Sequence, residues 1–385
     1  LSASSKALLP PGWFAGMKIS ERMSLTEIGQ REKESAMEEI YANARKLMEG
    51  YCRVCPACDG RACAGEVPGM GGLHTGSAFR DNVRALSGIG LNMRCLHGEQ
   101  DPDLSVSLLG HDLSVPVLAA PIGGVSYNMG GKMDEKEYIS AKLSACAAFG
   151  TLGCTGDGVP DVIHESAFSA IREAGGRGIP FIKPWADEEL FSKLEKALET
   201  GTTVVGMDVD AAGLVTLARL GRPVSPKPAA ALAEVIRRTS ARFVVKGIMT
   251  VDEAQMCVDA GAAGIVVSNH GGRVLDGAPG TARVLPEVAR AVRGRIAVLV
   301  DGGVRSGADV LRMLALGADA VLIGRPFSVA VMGGGRDGAT RYLEKIRQEL
   351  IQCMVLTGTA RADAVDPSVI RIPLGHDGCG GEPGR

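Results

Sequence analysis

The chain has 385 residues, 45% of them hydrophobic and 52 of them glycine, enough for one barrel-sized core with an added segment. A formal net charge of −2 supplies no field to hold nucleic acid or an anionic membrane, so neither is expected as a partner. No apolar run approaches the roughly 20 residues that span a bilayer, and no apolar secretory core stands at the N-terminus, so a soluble cytoplasmic protein is expected.

In chain order, the residues before the alternative starts Met17 and Met23 are given no functional weight. Glu32–Glu49 has helical composition, with Met37, Ile40, Tyr41, Ala44 and Leu47 spaced as a docking face. Cys52, Cys55, Cys58 and Cys63 follow in a C-x2-C-x2-C-x4-C array. That spacing is close to iron–sulfur runs. Zinc is an alternative, although zinc sites more often use two separated C-x2-C knuckles. Free or redox-active thiols are a third reading, and His74 is a spare ligand. Disulfides are disfavoured without a secretion signal.

From residue 116 short apolar runs alternate with helical periodicity, as repeated strand–helix units require. The expected strands are Pro116–Ile122, Thr151–Thr155, Phe181–Trp185, Val204–Asp210, Phe243–Ile248, Gly264–His270, Ala297–Gly303 and Ala320–Pro326. None alternates with polar residues, which suits strands buried on both faces. Asp187–Thr200 carries Leu190, Leu194 and Leu198 on one face, and Ser306–Leu316 has a capping Ser306 and a terminating Gly317. The pattern defines an α/β protein, a (β/α)8 TIM barrel with an N-terminal helical and Cys-rich extension. The expected division is a lid segment over 1–110, a barrel over 111–360 and a Gly- and Pro-rich tail over 361–385, where Cys379 has no assigned role. His74, His97, His111, His164 and His376 lack ligand-like spacing and read as structural or surface residues.

In such barrels, polar residues at the C-terminal ends of strands line the active site. Here those ends carry Asp208 and Asp210, Lys246, His270, Asp301, and Gly324-Arg325. His270 is a candidate base and Arg273 a fork for a substrate carboxylate. Gly302-Gly303 with Arg305, and Gly324-Arg325 on the next strand, match the place where barrels commonly bind phosphate, glycine there leaving room for the backbone to approach.

The runs VVSNHGGRVLDGAPGTARVLPEV and VLVDGGVRSGADVLRMLALGADAVLIGRP give the chain, from about Val115 to Gly358, a resemblance to the FMN-dependent 2-hydroxy-acid oxidases and dehydrogenases. The resemblance implies FMN and oxidation of a lactate-like small carboxylate. It makes His270 the base paired with Asp210, Arg273 the carboxylate ligand, and Lys246 the cation beside the flavin N1–C2 edge. It assigns Asp301, Gly302, Gly303, Arg305, Gly324 and Arg325 to the ribityl phosphate, Ala120, Pro121 and Ile122 to the flavin face, and Ser268 to the ring. A homo-oligomer is likewise implied.

The departures bear on substrate. Where the family's third strand supplies Gln and then Tyr, this chain has Lys183-Pro184-Trp185, and Asp208 stands where the family has Thr. A second carboxylate there disfavours an anionic substrate unless Lys183 offsets it. The alternatives are dehydrogenation of an amine or modified peptide, redox-neutral isomerisation, or a non-enzymatic flavin or metal redox sensor. An iron–sulfur centre at the cysteines would serve a protein electron acceptor, whereas zinc would fasten a lid.

Overall fold

The computed structural model describes residues 25–372. Residues 1–24 and 373–385 lie outside the described residues, and with them the expectations for Met17, Met23, His376 and Cys379.

Eight parallel strands form the barrel: β1 Val117–Ala119, β2 Cys154–Thr155, β3 Ile179–Ile182, β4 Val204–Asp208, β5 Arg242–Ile248, β6 Gly264–Val267, β7 Ala297–Val300 and β8 Ala320–Ile323. They pair in chain order, β8 lies against β1 with Val321 opposite Val117, and a parallel bridge from Ala119 to Gly153 joins β1 to the β2 side. β1, β2, β3, β4, β6 and β8 are buried at every position, so their apolar runs have water on neither face.

Several expected strands stop early, because the residues that carry chemistry leave the ladder to turn. β4 ends at Asp208, and Val209–Gly213 becomes a 3-10 turn that presents Asp210. β6 ends at Val267, and His270, Gly271 and Gly272 then adopt φ of 55°, 63° and 76° in succession. Glycine is required at the last of these, since a Cβ on Gly272 would overlap the backbone of Phe79.

The helices follow from their signals. Ser306 caps the helix Gly307–Ala315 through Asp309 N–H, and Asp309 returns the bond to make a capping box. The helix Asp187–Leu198 buries Leu190 and Leu194. The N-terminal helix Leu25–Leu47 packs on the helical segment Arg325–Thr357, which breaks at the non-helical Gly335, with Ile40 and Ala44 buried. Close approach is possible because Gly333 has no Cβ to overlap the Ile40 carbonyl.

Residues 48–76 contain no helix or strand, yet they cross the C-terminal ends of the barrel strands. Leu73 N–H donates to Gly272 O at 2.8 Å. Asp276 fixes the end of the crossing, accepting from the backbone N–H groups of Thr75 and Ser77 at 2.9 Å each and from both hydroxyls at 2.6 Å.

Candidate active site

The C-terminal ends of the strands open into a cleft of about 1200 Å³, its open mouth included. Of the residues expected at the site, all but Asp210, Ser268 and the four cysteines line it.

The floor is a charge network. Asp208 accepts from Lys246 Nζ at 2.9 Å through one oxygen and from Lys183 Nζ at 3.3 Å through the other. His270 Nδ1 lies 2.9 Å from Asp210 Oδ1, and Lys246 Nζ lies 3.5 Å from the other Asp210 oxygen. The Asp210 bond assigns the proton of neutral His270 to Nδ1 and leaves Nε2 as the basic nitrogen. Asp210 and Ser268 thus act from behind the cleft wall: Asp210 orients the imidazole, and Ser268 Oγ accepts the His270 backbone N–H at 3.1 Å. Each oxygen of Asp208 is thus paired with one lysine.

Burial works against the charge on Lys246, but Asp208, Asp210 and Asp301 outweigh it and hold the ammonium above the ordinary lysine range. His270 is likewise opposed by burial, and the carboxylates of Asp210 and Asp208 still raise it above a free histidine. Asp208 is held well below the carboxylate range, its burial outweighed by Lys246, His270 and Lys183. Burial and then the Asp208 charge push Asp210 up. The Asp208, Asp210 and His270 ligand atoms fall within 4.8 Å of one another, but the Lys246 ammonium already supplies the cation between the carboxylates.

The mouth carries three arginines. Arg273 donates to Gly69 O and, at 2.8 Å, to Asn128 Oδ1. Arg325 donates to Met70 O, Gly71 O and Gly271 O at 2.6, 2.9 and 3.0 Å and lies 3.8 Å over the Phe79 ring. Arg305 donates to Cys58 O at 3.2 Å. Among the described residues none of the three pairs with a carboxylate, so carbonyl dipoles orient them while their charge stays available to an anion. Burial, with Arg325 alongside, lowers Arg273 to about 9, which leaves it charged at neutral pH.

The cleft fits FMN on its own chemistry. Asp301 Oδ1, at the end of β7 and lining the cleft, is buried without a hydrogen-bond partner. Arg305 and Arg325 stand beside the Gly302-Gly303 turn as an anion site, and Lys246 is a buried cation on the adjoining floor. One expectation is revised: the absent Cβ atoms of Gly302 and Gly303 would point at Asn82 and Thr281, so these glycines admit the helix Ser77–Ser87 to the turn.

Some site residues went unread in the sequence. Asp157 accepts from Gly158 N, Lys183 N, Trp185 Nε1 and Lys193 Nζ at 2.7, 3.0, 2.6 and 2.9 Å, fixing the backbone that carries Lys183. It lies just past β2, so the strand-end rule applied to that strand would have found it. Trp185 is consumed by this buried bond, while Tyr127 lines the cleft from the turn after β1. Asn128, which orients Arg273, gave no sequence signal.

The cysteine array is not gathered as one metal ion requires. Among the described residues no three of its sulfurs lie within 4.8 Å of one another, whereas four thiolates on one zinc at about 2.3 Å would sit roughly 3.8 Å apart.

A parallel eight-stranded barrel with a basic, anion-seeking cleft and a carboxylate-backed histidine defines a flavin-type oxidoreductase site. The family described as FMN-dependent dehydrogenase matches residues 70–222 and 222–372, and the chain belongs to it. An L-lactate oxidase of Lactobacillus jensenii is 30% identical over 76% of this chain and 78% of its own length. A peroxisomal (S)-2-hydroxyacid oxidase of Arabidopsis thaliana is 31% identical over 78% of this chain and 90% of its own. Crystal structures of a mandelate oxidase superpose with a TM-score of 0.70 at 27% identity, covering 87% of this chain and 98% of theirs. No helix among the described residues is long and apolar enough to cross a membrane.

Proposed function

We propose that this enzyme oxidises a lactate-like 2-hydroxy acid to the 2-oxo acid. Arg273 binds the substrate carboxylate, exchanging its carbonyl partner at Gly69 for a charged oxygen. His270 Nε2 takes the proton released as the hydroxyl-bearing carbon is oxidised, and Asp210 stabilises the resulting imidazolium. FMN, when bound, supplies the two-electron acceptor. Arg305, Arg325, Asp301 and the Gly302, Gly303 and Gly324 backbone would hold its phosphate and ribityl chain, Ala120, Pro121 and Ile122 its face, with Ser268 behind His270. Lys246 would place positive charge where the reduced ring gains electrons. Lys183 neutralises Asp208 and so keeps the floor receptive to an anionic substrate.

The observation that carries this reading is the 2.9 Å His270–Asp210 pair in the same cleft as Arg273. His270→Gln should lower turnover by about 10²–10⁴-fold, the usual worth of a positioned base, with FMN still bound. Unchanged turnover would remove His270 from the chemistry. The similar lactate and 2-hydroxyacid oxidases support the substrate class.

A second reading within the class has its own support. Leu214, Leu217, Leu220 and Ile163 line the cleft, a wall suited to a larger apolar side chain, and the similar mandelate oxidase points the same way. At about 0.8 kcal/mol per buried methylene, roughly fourfold for each group buried, such a wall would raise kcat/KM for mandelate or a branched acid over lactate. Equal values would favour the smaller substrate.

A further inference from the structure

Residues 48–76 join two helices without regular structure of their own, and Tyr51–Gly76 runs far past the length at which such a connection is common in a compact protein. Few apolar side chains anchor it, chiefly Val54, Val67, Met70 and Leu73. An exposed fork from Arg53 to Glu66, at 2.6 and 2.7 Å, adds little. Cys52, Cys55, Cys58 and Cys63 all stand half-buried and unbridged in this segment.

Two of the sulfurs already accept hydrogen bonds. Arg305 Nη2 donates to Cys58 Sγ at 3.5 Å, and the Val54 N–H donates to Cys52 Sγ at 3.4 Å. Arg325 fixes the other side of the segment through Met70 O and Gly71 O. A cluster held by four thiolates carries net negative charge, which the guanidinium groups of Arg305 and Arg325 would balance.

The spacing decides which metal. Zinc sites more often use two separated C-x2-C knuckles, which this segment lacks. A C-x2-C-x2-C run is the pattern that brings three thiolates to one four-iron cubane, and Cys63 is the remaining thiol of the segment for its fourth corner. We propose that Cys52, Cys55, Cys58 and Cys63 ligate a four-iron, four-sulfide cluster, bordering the cofactor cleft through Arg305 and Arg325. The cluster ties the segment to the two arginines that line the cleft, so its loss should loosen whatever anion they hold.

The full chain, purified without oxygen and reconstituted with ferrous iron and sulfide, should retain about four iron and four acid-labile sulfide per chain, the cubane stoichiometry. It should also give a paramagnetic signal on dithionite reduction. Cys55→Ser should lose the sulfide, while Cys353→Ser, outside the array, should keep it. Bound zinc without sulfide, or no retained metal with four thiols open to alkylation, would overturn the proposal. Iron and sulfide are counted without reference to FMN or to hydroxy-acid turnover, so failure of the functional reading would register separately. As a second readout, oxidative removal of the cluster should raise the fraction of FMN released on gel filtration; unchanged retention would overturn the linkage to Arg305 and Arg325.

Discussion

His270 illustrates how one residue's backbone, partner and charge combine. Its φ of 55° is uncommon for a residue with a Cβ and is held by the turn it opens and by the Ser268 bond to its N–H. Because the carboxylates raise its pKa, His270 stays protonated above the ordinary histidine value of about 6.5. The base must be neutral, so kcat/KM should fall as pH drops through that raised pKa. Asp210→Asn removes a charge that raises it, and the acid limb should move to lower pH while the plateau rate declines. A pH–rate profile whose limb stays put would dissociate Asp210 from the imidazole. Arg273→Lys keeps the charge but loses the fork. With about 1.5–3 kcal/mol at stake in a hydrogen bond to a charged group, kcat/KM should fall roughly 10- to 100-fold. Measurement on substrates with and without a carboxylate checks this: an equal loss on both would show that Arg273 is not the carboxylate anchor.

At the scale of elements, the strands were readable because burial on both faces writes an uninterrupted apolar run, and helix Gly307–Ala315 because Ser306 writes its start and Gly317 its end. The strand ends were read too long. Asp210 and His270 belong to turns, and nothing in an apolar run marks where hydrogen bonding to the neighbour stops. The path of residues 48–76 was illegible for another reason: its contacts join residues some 200 positions apart, such as Thr75 with Asp276, and local pattern carries no such information. Docking of the N-terminal helix was half legible. Its apolar face was visible, but its seat depends on Gly333, which reads in sequence as a helix breaker. Gly333→Ala would drive a methyl into the Ile40 carbonyl and should cost about 1–3 kcal/mol, seen as a lower midpoint in urea unfolding. An unchanged midpoint would mean that the two helices do not pack this closely.

For the whole molecule, the division of labour follows the barrel. Strand interiors supply stability, and one rim collects Lys183, Asp208, Lys246, His270 and Asp301 from successive strands. Most of that rim was legible because barrel geometry turns a one-dimensional rule, polar residues at strand ends, into one place in space. Asp157, just past β2, lay within reach of the same rule, whereas Asn128 and the arginine–carbonyl contacts depend on how loops fold back. The crossing segment meets the rim through Arg273, Arg305 and Arg325, so the cleft and its cover form one electrostatic unit.

The central claim is that this unit oxidises a 2-hydroxy acid with FMN. The most direct measurement is the visible spectrum of the oxygen-free protein before and after adding L-lactate, then L-mandelate. Bleaching of the oxidised flavin bands by either acid, absent in His270→Gln, is the expected result. Bound flavin that stays oxidised with every 2-hydroxy acid tried, yet is reduced by dithionite, would contradict the claim.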